Sequence, residues 1–148
     1  MASTQMDSPA LAQPFASQPL RDKVGTVLVI DDSDIARASM SGLLEEAGLK
    51  VVELASPIGA TRAIIRHQVS VVVVDVLMPG MRGDRLATLF RNNPRFERLG
   101  VVLVSGEDGV ELDRLLNETG ADAAVSKSAL EGLVPAVVRA RTRRMRSA

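Results

Sequence analysis

Five short apolar runs alternate along the chain with segments whose apolar residues recur at helical spacing. The runs are residues 26–30 (TVLVI), 50–55 (KVVELA), 69–74 (VSVVVV), 100–105 (GVVLVS) and 123–126 (AAVS). Apolar and polar residues do not alternate within them, which is typical of strands buried on both faces of a parallel sheet. The pattern predicts an α/β fold with five parallel strands and helices on both faces.

The segments between the runs carry helix boundary signals. Ser33 predicts an N-cap and Gly48 the end of the first of these helices. Pro57 predicts the start of the next helix, which would run to about His67. Further helices are predicted over residues 84–91, over residues 108–119 with a stop at Gly120, and over the rest of the chain, with Pro135 in the first turn or two.

Composition separates both ends of the chain from its middle. Residues 1–23 are rich in Ala, Ser, Gln and Pro without a period, which predicts a flexible N-terminal arm. Residues 24–140 form the predicted domain. Residues 141–148 are an Arg-rich C-terminal end, which we interpret as favourable charge near a helix C-terminus rather than as a docking site. Because about eight residues follow Ala140, we expect a domain that stands alone.

The composition excludes several classes of function. The chain has 18 basic residues (Lys and Arg) and 18 acidic residues (Asp and Glu), so its net charge is zero. A net charge of zero argues against non-specific binding to membranes or nucleic acid. Without Trp or Tyr, and with three Phe, the chain has few residues that could stack on bases. There is no cysteine for thiol chemistry. The N-terminus lacks the pattern of a secretion signal, and no apolar stretch is long enough to span a bilayer. We expect a cytoplasmic protein.

Polar side chains follow the predicted strands where the strands end. Asp31 and Asp32 follow the first strand, Asp75 the third, Ser105 ends the fourth, and Lys127 follows the fifth. The carboxyl ends of parallel strands share one edge of a sheet, where ligands bind. We therefore expect these residues to converge.

The chemistry of this set points to phosphoryl transfer. Three close carboxylates need a cation, and Mg²⁺ accepts both carboxylate and phosphate oxygens. Lys127 is a point charge suited to a phosphoryl oxygen, and Ser105 can donate a hydrogen bond to another. In this interpretation Asp75 is the nucleophile that carries the phosphoryl group.

Four segments, VIDDSD, VVVVDVLMPGMRGD, VLVSGED and GADAAVSKS, resemble the receiver domain of bacterial two-component response regulators. The resemblance covers residues 24–140 and implies a flavodoxin-like (βα)5 fold with strand order 2-1-3-4-5. It implies that Asp75 is the phosphoacceptor, that Ser105 carries the switch hydroxyl, and that Lys127 is the lysine of the family motif. It also implies that Mg²⁺ is held by Asp31, Asp32, Asp75 and the backbone carbonyl of Leu77.

The resemblance further implies a signalling module rather than a conventional enzyme, with only self-phosphorylation and slow autodephosphorylation. A histidine kinase or a histidine phosphotransfer protein would phosphorylate it, and it would act by binding an unknown downstream protein or by phosphorelay. Two departures from the family pattern stand out: Ala124 replaces the usual aromatic residue, and Ser128 replaces the proline after the lysine.

Two alternatives remain at the level of sequence. Ala124 keeps open the alternative of a degenerate receiver that acts as an interaction module without phosphorylation. Asp32 and Asp34 form an Asp-x-Asp pair like that of haloacid-dehalogenase phosphatases, although Ala36 stands where those enzymes have Thr or Val. The isolated His67 is interpreted as a solvated residue near a helix end.

Overall fold

The structure, a computed structural model, describes residues 19–106 and 110–146. Five strands lie in these residues: β1 (Thr26–Ile30), β2 (Lys50–Leu54), β3 (Val69–Asp75), β4 (Gly100–Ser105) and β5 (Ala123–Ser126). They alternate with α-helices: α1 (Leu20–Val24), α2 (Asp34–Glu46), α3 (Ala60–Arg66), α4 (Gly83–Arg91), α5 (Val110–Thr119) and α6 (Leu133–Arg146). Short 3-10 turns cover Pro94–Phe96 and Leu130–Gly132.

All strand pairs are parallel, and the strand order is β2-β1-β3-β4-β5. This order confirms the prediction. The register places Asp75 opposite Val104, and Ser105 opposite Ser126. The polar residues that end these strands therefore lie on one edge of the sheet.

Alternate valines of β3 enter different halves of the core. Val71 and Val73 pack with residues of α2 and α6, whereas Val72 and Val74 pack with residues of α4 and α5. All four side chains are completely buried. Burial on both faces explains why the strand is a continuous apolar run.

Helix α2 follows the boundary signals in the sequence. The Ser33 side chain accepts a hydrogen bond from the Ala36 N–H at 3.2 Å, and Gly48 after the helix has a φ of +93°. Helix α3 differs, because it begins at Ala60 rather than at Pro57. Gly59 has a φ of +87°, in the left-handed region, and this conformation keeps Pro57 outside the helix.

The predicted domain boundaries fall inside helices and need correction. Residues 20–23, predicted to belong to the flexible arm, lie in α1, which packs against α6 and buries Val24. The predicted Arg-rich end is helical through Arg146, because α6 does not stop at Ala140. The rest of the predicted arm, residues 1–18, lies outside the described residues, as do residues 147 and 148.

Asp122 explains why the arginines of α6 belong to the fold. Its side chain is completely buried, and Oδ2 accepts a hydrogen bond from the Val101 N–H at 2.9 Å. The Nε atoms of Arg144 and Arg143 lie 2.8 Å and 3.4 Å from Oδ1, and Nη1 of Arg91 lies 3.9 Å from Oδ2. These ion pairs fix the C-terminal part of α6 to the end of the sheet where β4 and β5 begin. Asp75 lies at the other end of the sheet.

Across residues 19–106 and 110–146, none of the helices has the length and apolar character needed to cross a bilayer.

Candidate functional site

Lys127 lies between two aspartates at the carboxyl ends of the strands. Its Nζ atom is 3.2 Å from Oδ1 of Asp75 and 3.3 Å from Oδ2 of Asp31. The loop after β5 brings it there, and the backbone N–H of Lys127 donates to the Ser105 carbonyl at 2.7 Å. Residues that are far apart in sequence thus meet as the strand-end pattern predicts.

Three carboxylates gather on one side of this lysine. Asp31, Asp32 and Asp75 each offer one oxygen, and these oxygens all lie within 4.8 Å of one another. Asp31 and Asp75 are buried, whereas Asp32 is exposed. The arrangement leaves one carboxylate in contact with solvent, from which an ion can enter.

The bonding of Asp31 tests whether a cation fits this cluster. Oδ1 of Asp31 accepts a hydrogen bond from the Ser33 N–H at 2.8 Å. Oδ2 is buried and has no hydrogen-bond partner, although Nζ of Lys127 lies 3.3 Å away. A buried carboxylate oxygen without a hydrogen bond, close to two other carboxylates, suits a hard divalent ion. The residues present therefore fit Mg²⁺.

The electrostatics of Asp75 reflect its dual environment. Burial is the main cause that raises the pKa of Asp75, and repulsion from Asp31 adds to it. Lys127 and a hydrogen bond from the backbone of Leu77 oppose the rise. For Lys127 itself, burial acts to lower the pKa, but attraction to Asp75 and Asp31 outweighs it, so the pKa is raised. The lysine therefore stays charged beside the carboxylates.

Comparison with known proteins assigns this arrangement to a family. Residues 27–138 match the family described as the response regulator receiver domain. The chain belongs to this family.

Two curated relatives illustrate the similarity. Protein PilG of Pseudomonas aeruginosa is 31% identical over 84 residues, which are 57% of this chain and 62% of PilG. Response regulator Rre1 of Synechocystis is 32% identical over 118 residues, which are 77% of this chain and 50% of Rre1. The match thus spans less than two thirds of the length of either relative.

Solved structures of other receivers share the fold. A receiver domain protein from Clostridium thermocellum has a TM-score of 0.71 at 22% identity, covering 83% of this chain and 98% of that one. The chemotaxis protein CheY4 of Vibrio cholerae has a TM-score of 0.65 at 23% identity, covering 76% and 97%. These likenesses confirm the flavodoxin-like architecture predicted from the sequence.

The other residues singled out in the sequence lie in different surroundings. Ser105 is buried at the end of β4, beside the strand that carries Asp75. The side chain of Leu77 is exposed, and a role for its carbonyl in holding a metal stays a prediction. Ala124 faces the core opposite Leu103, and His67 is exposed at the end of α3. The solvated interpretation of His67 agrees with this exposure.

Arg37 is a residue of the receiver site that the sequence analysis missed. Its Nη1 atom donates to the backbone carbonyl of Asp31 at 2.8 Å, and its Nε lies 3.2 Å from the Glu53 carboxylate. It also pairs with Asp34 at 2.6 Å. The arginine thus ties the loop that carries Asp31 to β2. Its position three residues after Asp34, on the same helix, was the available signal.

Gly83 is the second missed residue, and its role is steric. A Cβ atom at this position would overlap the carbonyl oxygen of Asp75 and crowd the side chain of Val74. The start of α4 therefore lies directly against the strand end that carries Asp75. The Gly-Asp pair in MRGD was visible in the sequence, but only the packing of α4 on β3 reveals why glycine is required.

The phosphatase alternative receives no support from this geometry. Asp34, the second acid of its Asp-x-Asp pair, has a largely exposed side chain that pairs with Arg37. The described metal-capable cluster contains Asp75 in place of Asp34. The composition of the cluster and the family match both favour Asp75 over Asp32 as the candidate phosphoacceptor.

Proposed function

We propose that this receiver accepts a phosphoryl group on Asp75 from a histidine kinase or a histidine phosphotransfer protein, and that the phosphorylated form signals to another protein. The observation that carries the proposal is the contact of Asp75 with Lys127 at 3.2 Å within the three-carboxylate cluster. A cation and a metal-capable acid cluster beside one carboxylate are what acyl-phosphate chemistry needs.

In the proposed reaction an oxygen of the Asp75 carboxylate attacks the phosphorus of a phosphohistidine. A P–O bond forms as the P–N bond breaks, and the imidazole leaves with the bonding electron pair. The products are an aspartyl phosphate and the free histidine of the donor. Lys127 then contacts the phosphoryl group and offsets its charge, as it offsets that of the carboxylate before transfer.

Asp31, Asp32 and Asp75 would hold Mg²⁺, with the carbonyl of Leu77 as a further predicted ligand. When bound, Mg²⁺ supplies positive charge that stabilises the phosphoryl oxygens during transfer. The hydrogen bonds to Asp31 from Ser33 and Arg37 hold its carboxylate and backbone in place. This preorganisation reduces the motion needed when an ion binds.

The proposal includes a way to use the phosphorylated state, either protein binding or transfer of the phosphoryl group onward. That the protein works in the cytoplasm stays a prediction from the sequence. A degenerate receiver is the second candidate, and one observation favours it. In the family, an aromatic ring at the position of Ala124 moves when the switch hydroxyl shifts toward the phosphoryl group, and this movement transmits the change to the surface of α5 and β5. Ala124 has no ring, so this chain lacks the side chain that would transmit the change.

The test is intact-mass spectrometry after incubation with acetyl phosphate and Mg²⁺. We expect one base-labile phosphoryl group on the wild type and none on Asp75→Asn or in the presence of EDTA. Asp113→Asn, on the exposed face of α5, is the matched control and should label like the wild type. Equal labelling of Asp75→Asn and the wild type would refute the assignment. Absence of label on a folded, Mg²⁺-binding wild type would favour the degenerate receiver.

A further inference from the structure

A cavity of about 330 Å³ lies where β3 and β4 begin, at the opposite end of the sheet from Asp75. Its apolar walls include Ile64, Phe96 and Leu99. Its polar side chains can all donate hydrogen bonds, and they are Gln68, Ser70, Arg95, Arg98 and Arg141. In the part of the chain that the structure describes, no carboxylate lines this cavity. The lining therefore has the donors of an anion site without an acid to neutralise them.

The arginines of the cavity lack the partners that neighbouring arginines have. Arg143 and Arg144 pair with the buried Asp122. Among residues 19–106 and 110–146, no ion pair forms with the side chains of Arg95, Arg98 or Arg141. The Nε atom of Arg141 is buried and has no hydrogen-bond partner there. A buried donor without an acceptor is costly, and a ligand oxygen would remove that cost.

Electrostatics point the same way. Burial lowers the pKa of Arg141, and repulsion from Arg98 lowers it further. Both arginines line the same cavity, and two like charges close enough to repel each other both attract an anion that contacts them.

We propose that this cavity binds a phosphate group, as inorganic phosphate or as a small phosphate monoester, between Arg98 and Arg141. The planar donor fork of arginine matches phosphate oxygens. The volume is near the lower end of that of small-molecule sites, which leaves room for a small group attached to the phosphate. Ile64 and Ile65 would contact that group.

This site is separate from the proposed phosphorylation site and does not depend on it. Strand β3 runs from one site to the other, because Val69 lines the cavity and Asp75 ends the strand, roughly 20 Å away at the usual rise of a strand. Without a metal, the carboxylates of Asp31, Asp32 and Asp75 repel phosphate. Measurements in EDTA therefore exclude phosphate binding through a metal at the carboxylate cluster.

The test is an amide chemical-shift titration of the full chain with inorganic phosphate at constant ionic strength in EDTA. We expect saturable shifts at residues 68–70 and 95–99. Arg98→Gln and Arg141→Gln should each weaken binding about tenfold, the effect of losing one charge-assisted hydrogen bond. Arg141→Lys should bind between the wild type and Arg141→Gln. Arg139→Gln, exposed on the same helix and outside the cavity, should bind like the wild type.

A parallel titration with glycerol 3-phosphate distinguishes the two sources of the group. Tighter binding than that of inorganic phosphate identifies a monoester as the preferred ligand, and equal binding identifies the phosphate alone. The proposal is overturned if the shifts grow linearly without saturation, if Arg98→Gln with a native spectrum binds like the wild type, or if Arg139→Gln loses as much affinity as Arg98→Gln.

Discussion

Replacing Asp122 with alanine tests whether the arginines at the end of α6 hold the fold together. The substitution removes the acceptor of the Val101 N–H and the counter-charge of three arginines. An unsatisfied buried amide costs about 1–3 kcal/mol, and breaking a buried ion pair costs about 3–5 kcal/mol. Arg143 is largely exposed and can turn to solvent, whereas Arg91 is nine-tenths buried and cannot. We therefore expect a loss of about 3 kcal/mol.

Equilibrium unfolding in urea measures this loss directly, and thermal melting gives a second value. For a chain of this size, about 3 kcal/mol corresponds to a lowering of Tm by roughly 10 °C. Asp122→Asn keeps an oxygen that can accept from Val101, so it should lose less than Asp122→Ala. Asp113→Ala makes the same change at an exposed position of α5, and its stability should stay within about 0.5 kcal/mol of the wild type.

A stability of Asp122→Ala within about 1 kcal/mol of the wild type would refute the reasoning, because it would mean that the ion pairs barely offset the desolvation of their charges. Truncation after Ala140 is an independent test of the same ion pairs. It removes Arg143 and Arg144 but leaves Asp122, so the truncated chain should also be less stable than the full one. Phosphorylation of any folded variant should persist, since the network lies at the far edge of the sheet.

Three further predictions concern the site itself. Gly83→Ala should lower the free energy of unfolding by about 3 kcal/mol through overlap with Asp75, whereas Gly42→Ala, with open space in α2, should leave it unchanged or raised; equal melting of the two would contradict this. Asp32→Ala should reduce the Mg²⁺-dependent rise in Tm without lowering Tm in EDTA. Asp34→Ala is the control, and an equal Mg²⁺-dependent rise in Tm for the two variants would argue against Asp32 as a metal ligand. Beryllofluoride, a phosphoryl mimic, should shift amides mainly at the site and at residues 105–110; extensive shifts over residues 121–140 that Ser105→Ala abolishes would show that switching needs no ring at Ala124.

The sheet was predictable because β1, β3, β4 and β5 are buried apolar runs that end in, or are followed by, a polar residue, whereas β2 is partly exposed and has no such end. Burial on both faces of β3 favours a continuous run of valines, and the buried Asp75 ends that run with a polar residue. Helix starts were less predictable. Pro57 favours a first helical turn by itself, but the left-handed Gly59 after it delays the helix to Ala60, and a single sequence does not reveal the φ of a glycine.

The candidate site was predictable as far as it depends on strand ends. Asp31, Asp75 and Lys127 meet because parallel strands end at one edge, which topology alone requires. Arg37 and Gly83 were missed because their roles depend on packing between elements. A helical arginine is ordinarily a surface residue, and only the approach of α2 to β2 brings this one to the Asp31 carbonyl and to Glu53.

The net charge of zero hides a separation of charge that the fold creates. Equal numbers of acids and bases argue against anionic partners only if the charges are mixed over the surface. Here the carboxylates of Asp31, Asp32 and Asp75 lie at one end of the sheet, and the arginines of α6 lie at the other with one buried acid, Asp122, among them. A Debye length of about 8 Å at physiological salt is shorter than β3, so the two ends act independently on a small ion. One chain can therefore attract a cation at one edge and an anion at the opposite edge, which a whole-chain charge count does not predict.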